Sequence, residues 1–214
     1  MIGAGTTIAE PASGETAWSG SSVAYTVGQV VIRTTTHKKY TCAVAHTSAA
    51  SPLPENDPTR WQEGDPTNRW CPFDVYSTST KAEATGSITY DLRPGFFTAL
   101  SLYGLEGSTV DVTVKDEPGG AEIFSYEADL YAQANGLWEL LFSQLQALDK
   151  LVLRDIPIAP DAQLLITVDA GSGTARIGTI NVGDYQVLIG DDAEWGGTRT
   201  GATAEPKTFS FIRT

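Results

Sequence analysis

The clearest periodic signal is Thr109-Val110-Asp111-Val112-Thr113-Val114-Lys115-Asp116, where apolar and polar residues alternate strictly. Side chains of a strand point to alternate faces, so Val110, Val112 and Val114 form one side and Asp111, Thr113 and Lys115 the other. Pro118-Gly119-Gly120 then turns the chain into a second strand over 121–126. The same period marks residues 86–92, closed by Arg93-Pro94-Gly95, and a further strand is expected over 96–105. Apolar stretches at 150–153, 163–168, 175–183 and 207–214 predict additional strands, with the Gly-Ser-Gly of 170–174 read as a turn. One stretch differs: Leu137, Leu140, Leu141, Leu145 and Leu148 recur at helical spacing and predict one short amphipathic helix within 130–149. Many short strands separated by turns predict an all-β domain over 67–214, a two-layer antiparallel β-sandwich of jelly-roll type.

The pattern upstream is shorter and more aromatic. Tyr25, Gly28 and the strand ending at Arg33 are followed by the polar turn Thr34-Thr35-Thr36-His37-Lys38 and a return strand over 39–44, which predicts a hairpin. Pro52, Pro54 and Pro58 stiffen the next loop, and Trp61 closes the unit. Residues 17–66 therefore read as a small three-stranded β module. Residues 1–16 are small and polar apart from Ile2 and Ile8, and read either as a flexible arm or as a segment ordered by a neighbouring subunit. The turn-rich stretch 61–74 joins module to sandwich, its aromatic ends expected in the cores on either side.

Composition narrows the partners. A net charge of −12 argues against a nucleic-acid partner and against electrostatic docking on an anionic membrane. No apolar run approaches the roughly 20 residues that would cross a bilayer. Residues 1–22 have neither a basic nor an apolar leader region, so synthesis in a cytoplasm without the usual export route is expected. Cys42 and Cys71 exclude a disulfide framework and leave either one bridge or two buried thiols.

Catalytic patterns are not found in the sequence. His37 and His46 lie in polar turns and fit neither a nucleophile elbow nor His-Glu-x-x-His spacing. Cys42 and His46 as metal ligands would need two further groups, with only Cys71 at hand. Glu55/Asp57 and Asp191/Asp192/Glu194 sit in Gly- and Pro-rich loops, where acidic residues usually serve turns. No enzyme activity, metal or cofactor is expected.

Trp18, the run Tyr25-Thr26-Val27-Gly28-Gln29-Val30-Val31, Tyr40 and the Pro54-to-Trp61 spacing resemble the small chitin-binding module attached to many chitinases. After Tyr40, Cys42, Val44 and His46 stand where that family offers further exposed aromatics. Trp18, Tyr25, Tyr40 and Trp61 are thus the candidate glycan-stacking residues, with the core of a very small domain as their other assignment.

The order of Asn68-Arg69-Trp70, Phe73-Asp74, Leu92-Arg93-Pro94-Gly95, the stretch 99–105, Val110-to-Val114, the run 177–183 and Gly190 before Trp195-Gly196 resembles a family of tailed-bacteriophage virion proteins. That family often carries a chitinase-type module ahead of a jelly-roll domain. The resemblance implies a structural protein of the tail, tail tip or a tail appendage, made in the host bacterial cytoplasm. Its implied partners are copies of itself, other phage tail proteins and host-surface glycans. A glycan-binding adhesin is the alternative, and a module of a polysaccharide-degrading enzyme a third reading.

Overall fold

In the sandwich, β6 (Ala82–Leu92), β11 (Gln163–Ile177), β8 (Thr109–Lys115) and β9 (Glu122–Asp129) pair in that order as one antiparallel sheet. A second sheet has the order β10 (Lys150–Leu153), β7 (Ala99–Tyr103), β12 (Thr179–Gly183), again antiparallel. This computed structural model describes residues 1–74, 80–131 and 147–184. Most of the stretch expected to be helical, the terminal strand over 207–214 and the acidic turn near Asp191 lie outside the described residues. Contacts divide the chain into two units, Met1–Gly183 and Asp184–Thr214; the module and the sandwich both belong to the first.

Alternation dictates the core. Val110, Val112 and Val114 are buried as their spacing requires, and Leu164, Ile166 and Val168 oppose them from β11. Ile88 and Tyr90 of the first sheet share one cluster with Leu100, Leu102, Leu153 and Ile180 of the second, so the two inner faces make the all-β sandwich expected. Each such aliphatic side chain stabilises the fold by about 1.5–3 kcal/mol on burial. The predicted turn at Pro118-Gly119-Gly120 joins β8 to β9, with Gly119 at φ +78°.

Two expectations are corrected. Residues 170–174 do not end a strand: β11 continues to Ile177, and its register against β6 shifts between Asp169 and Thr174. The excess residues form a bulge, in which Gly171 takes φ +59° and donates its N–H to Asp169 Oδ1 at 2.7 Å. Ala175 and Ile177, both fully buried, then resume the inward alternation, which is why the strand carries on. The single strand expected over 175–183 instead divides at Gly178, whose N–H meets Tyr103 O at 2.9 Å as the chain passes to the other sheet.

The module contains β2 (Val30–Arg33), β3 (Lys38–Cys42) and β5 (Trp61–Pro66) as the expected three-stranded sheet. A two-residue pair, β1 (Ala24–Tyr25) with β4 (His46–Thr47), lies beside it. Residues 1–18 pair with the chain's own sheets. Ile2 bridges to Leu92, Thr7 N–H donates to Thr89 O at 2.9 Å, and Ile8 and Ala12 enter the sandwich core. Ala17 then bridges to Ile32 of the module. The isolated hydrophobic points Ile2 and Ile8 are the contacts that tie this segment down.

Candidate functional site

The aromatic candidates are placed unevenly. Tyr25, Tyr40 and Trp61 are 3%, 1% and 3% exposed and pack with Val31 and Cys42 as the core of the module. Tyr25 and Trp61 meet edge to face, centroids 5.1 Å apart. Three of the four rings therefore have their faces occupied within the module. Trp18 is half-buried against that core, with the Arg33 guanidinium 5.1 Å from its ring centroid. Arg33 is itself held by Glu55 through Nε–Oε2 at 3.0 Å and Nη2–Oε1 at 3.1 Å, which gives Glu55 a structural partner. Asp57 likewise accepts from Thr59 Oγ1 at 2.6 Å.

The two cysteines are buried free thiols. Cys42 Sγ lies 3.8 Å from His46 Nδ1, but that nitrogen faces Val44 O at 2.8 Å. Among the described residues no group of three or more His, Cys, Asp or Glu could hold a metal ion.

What the fold assembles is a seam between module and sandwich. Glu10, from the segment read as a small polar arm, accepts from His37 Nδ1 at 2.9 Å, Thr67 Oγ1 at 2.6 Å and Trp70 Nε1 at 3.1 Å. His37 stacks on Trp70 with centroids 4.1 Å apart. Trp70 meets Phe73, and Phe73 meets Tyr90 of the sandwich, each edge to face at under 6 Å (5.8 and 5.7 Å). Asn68 clamps the backbone of Glu83 in both directions, Nδ2 to O and Oδ1 to N, each at 2.8 Å.

Beside this seam opens a groove of about 670 Å³. Its module wall carries Lys39 and Asp65, its sandwich wall Lys81, Glu83, Thr85 and Thr174. Glu15 and Asn68 also line it, and Glu15 Oε1 accepts the Asn68 N–H at 2.9 Å and faces Lys39 Nζ at 3.8 Å. Thr85 and Thr174 are register partners on β6 and β11, so the bulge in β11 is what brings the second hydroxyl to the wall. Cys71 also borders the groove, and burial pushes its thiol up to about 11, so it is a neutral wall group at pH 7. Opposed cations and carboxylates, an amide and several hydroxyls can donate and accept hydrogen bonds without a large net charge.

Sequence reading did not find this groove. Glu10 and Glu15 were visible as the carboxylates in an otherwise small, uncharged segment. Nothing in the local pattern of Asn68, Thr85 or Thr174 points to a shared cavity, because they come from three separated stretches.

No protein-family model matches the chain, and no curated protein matches it. Among solved structures, it is similar to the fucose-binding module SpX-3 of Streptococcus pneumoniae, with TM-score 0.37 and 10% identity over 56% of this chain and 86% of that one. It is also similar to an F5/8 type C domain from Bacteroides fragilis, with TM-score 0.32 and 14% identity over 52% and 80% of the two chains. The lectin domain of lectinolysin, complexed with Lewis B antigen, gives TM-score 0.33 and 13% identity over 50% and 72%. At such scores the likeness carries no argument; the sandwich stands on the chain's own strand register.

Proposed function

We propose that this chain is a non-enzymatic carbohydrate-binding protein that takes its ligand in the groove beside the seam. The observation that carries the reading is the chemistry of the groove wall: the hydroxyls of Thr85 and Thr174 share it with the cations Lys39 and Lys81 and the carboxylates Glu15, Asp65 and Glu83. A polyhydroxylated ligand offers a donor and acceptors at every carbon and matches such a wall, and its neutrality suits a chain with net charge −12. The volume lies within the roughly 300–1,000 Å³ usual for small-ligand sites. Trp18, half-buried at the module surface, is the one of the four aromatic candidates whose placement leaves room for a stacking contribution. Binding of the intact chain to an immobilised glycan array is the test. Retention of neutral glycans, weakened at least fivefold by Asp65→Ala, supports the groove; a blank array from folded protein removes the reading.

A second reading concerns where such a protein works. The order of stretches along the chain, which resembles that of tailed-phage virion proteins, suggests a structural part of a phage tail, tail tip or tail appendage. In that setting the partners are further copies of the chain and other tail proteins, and glycans of the host surface are the ligand. Mass spectrometry of purified virions, followed by cryo-electron microscopy, tests it. Absence of the chain from the particles would dismiss the virion setting without touching the groove.

A further inference from the structure

A second cavity of about 310 Å³ opens on the other side of Thr174, which borders both. Among the described residues its walls include Glu106, Arg176 and Tyr131. Arg176 stands two residues beyond Thr174 on β11, so both side chains project from the outer face while Ala175 between them is buried. β6 places Glu83 opposite Arg176, and an isolated bridge places Glu106 beside it.

These groups form one lattice. Arg176 donates from Nε to Glu83 Oε2 at 2.8 Å and from Nη1 to Glu106 Oε1 at 3.0 Å, and Lys81 Nζ approaches the same Glu106 oxygen at 3.6 Å. Glu83 and Lys81 belong to the first cavity's wall, Arg176 and Glu106 to the second's. Two carboxylates and two cations cancel, so the crossing point carries no net charge. All four side chains stay partly exposed, between 25% and 55%. Tyr131, 49% exposed, also lines the second cavity, with its backbone bridged to Ala147.

From the shared Thr174 and this lattice we infer that the two cavities serve as one binding track for an extended neutral oligosaccharide, with Arg176 and its two carboxylates at the crossing and Tyr131 as the stacking residue of the second cavity. The inference rests on the carbohydrate reading above and adds the ligand's length and charge. A single sugar occupies one cavity; a longer chain passes the crossing, accepts from the guanidinium, donates to the carboxylates and lays a ring on Tyr131. Isolated charge on the ligand would disturb the balanced lattice, so anionic chains are poorer ligands.

The experiment uses the intact chain and three series of neutral oligosaccharides, of glucose in α-1,4 and β-1,4 linkage and of N-acetylglucosamine, each as dimer and hexamer. Calorimetric titration should show at least tenfold tighter binding of one hexamer than of its dimer. Arg176→Ala and Tyr131→Ala should each lower hexamer affinity at least fivefold while leaving dimer affinity within twofold. Glu106→Gln, which keeps the shape and upsets the charge balance, should act in the same direction if Arg176→Ala proves unstable. Equal affinity for dimer and hexamer, variants that weaken both alike, or equal affinity for an oligogalacturonate hexamer would overturn the track while leaving the groove in place. Failure of every saccharide, whatever its length, together with a blank array, would bring down the carbohydrate reading itself.

Discussion

In the sandwich, Val112, Ile166 and Leu102 are wholly buried aliphatic side chains among many others drawn from two sheets. The module closes instead on Tyr25, Val31, Tyr40, Cys42 and Trp61. The difference follows from size. A unit of about fifty residues cannot bury enough aliphatic area to offset its conformational entropy, and each aromatic ring removes roughly 150–250 Å² from water. Aromatic density in a tiny domain is therefore first a sign of a scarce core. The module also leans on the sandwich, through the strap over 2–18 and the three hydrogen bonds gathered by Glu10.

The contrast breaks most sharply at Trp61. Trp61→Ala should lower the free energy of unfolding by about 3–5 kcal/mol, with the loss confined to the module. Hydrogen exchange should then accelerate on β2, β3 and β5 and leave β8 and β11 protected; equal loss in both would show that the two regions unfold as one. Leu102→Ala is its counterpart in the sandwich, at about 2–5 kcal/mol, and should release the module's protection too, because the strap that holds it is anchored on β6.

Glu10→Ala asks how far the module depends on the seam. Thr67, with no exposed surface, and Trp70 would each lose an acceptor, at about 1–3 kcal/mol by denaturant titration. The module's exchange rates should rise more than the sandwich's. Gly171→Ala is smaller, about 1–2 kcal/mol, since an L side chain at φ +59° is strained. Its useful signature is local: the bulge should shift Thr174 and Arg176 and weaken ligand binding while the melting of β8 hardly changes.

The smallest effect is one of pH. Burial alone would raise the Asp91 carboxyl, but hydrogen bonds from Arg93, the Gly5 N–H and Gln163 outweigh it and hold its pKa below the usual carboxylate value. A depressed folded pKa means that its stabilisation is present above the unfolded value, near pH ~4, and is lost as pH falls through the lower folded value. Below pH ~4 the strap should begin to exchange faster than the rest of the sandwich, and Asp91→Asn should abolish that pH dependence. A strap whose exchange ignores acid in the native chain would contradict this role for Asp91.

The departures between sequence reading and structure share a cause. Gly171-Ser172-Gly173 carries every local mark of a turn, yet Ala175 and Ile177 have inward positions waiting in the same sheet, and the chain absorbs its extra residues as a bulge. At Gly178 the run is continuous in composition, but the pairing partner changes from β6 to β7. The segment over 1–16 seemed too polar to fold because its partners, Thr89, Asp91 and Leu92, lie more than eighty residues away.

By itself, the sequence determined what local physics determines: strands of period two, the β8–β9 turn at its glycines, an all-β class, an acidic chain, and a three-stranded module ahead of a sandwich. Alternation is a property of neighbouring residues, so it survives reading one stretch at a time. Only the tertiary structure decided that the rings of Tyr25, Tyr40 and Trp61 would be spent on the module core, where Glu10 found its donors, and that Thr174 would stand between Thr85 on one side and Arg176 with Glu106 on the other. Those are long-range pairings, specified by register and by the bulge, and no window of sequence contains both partners.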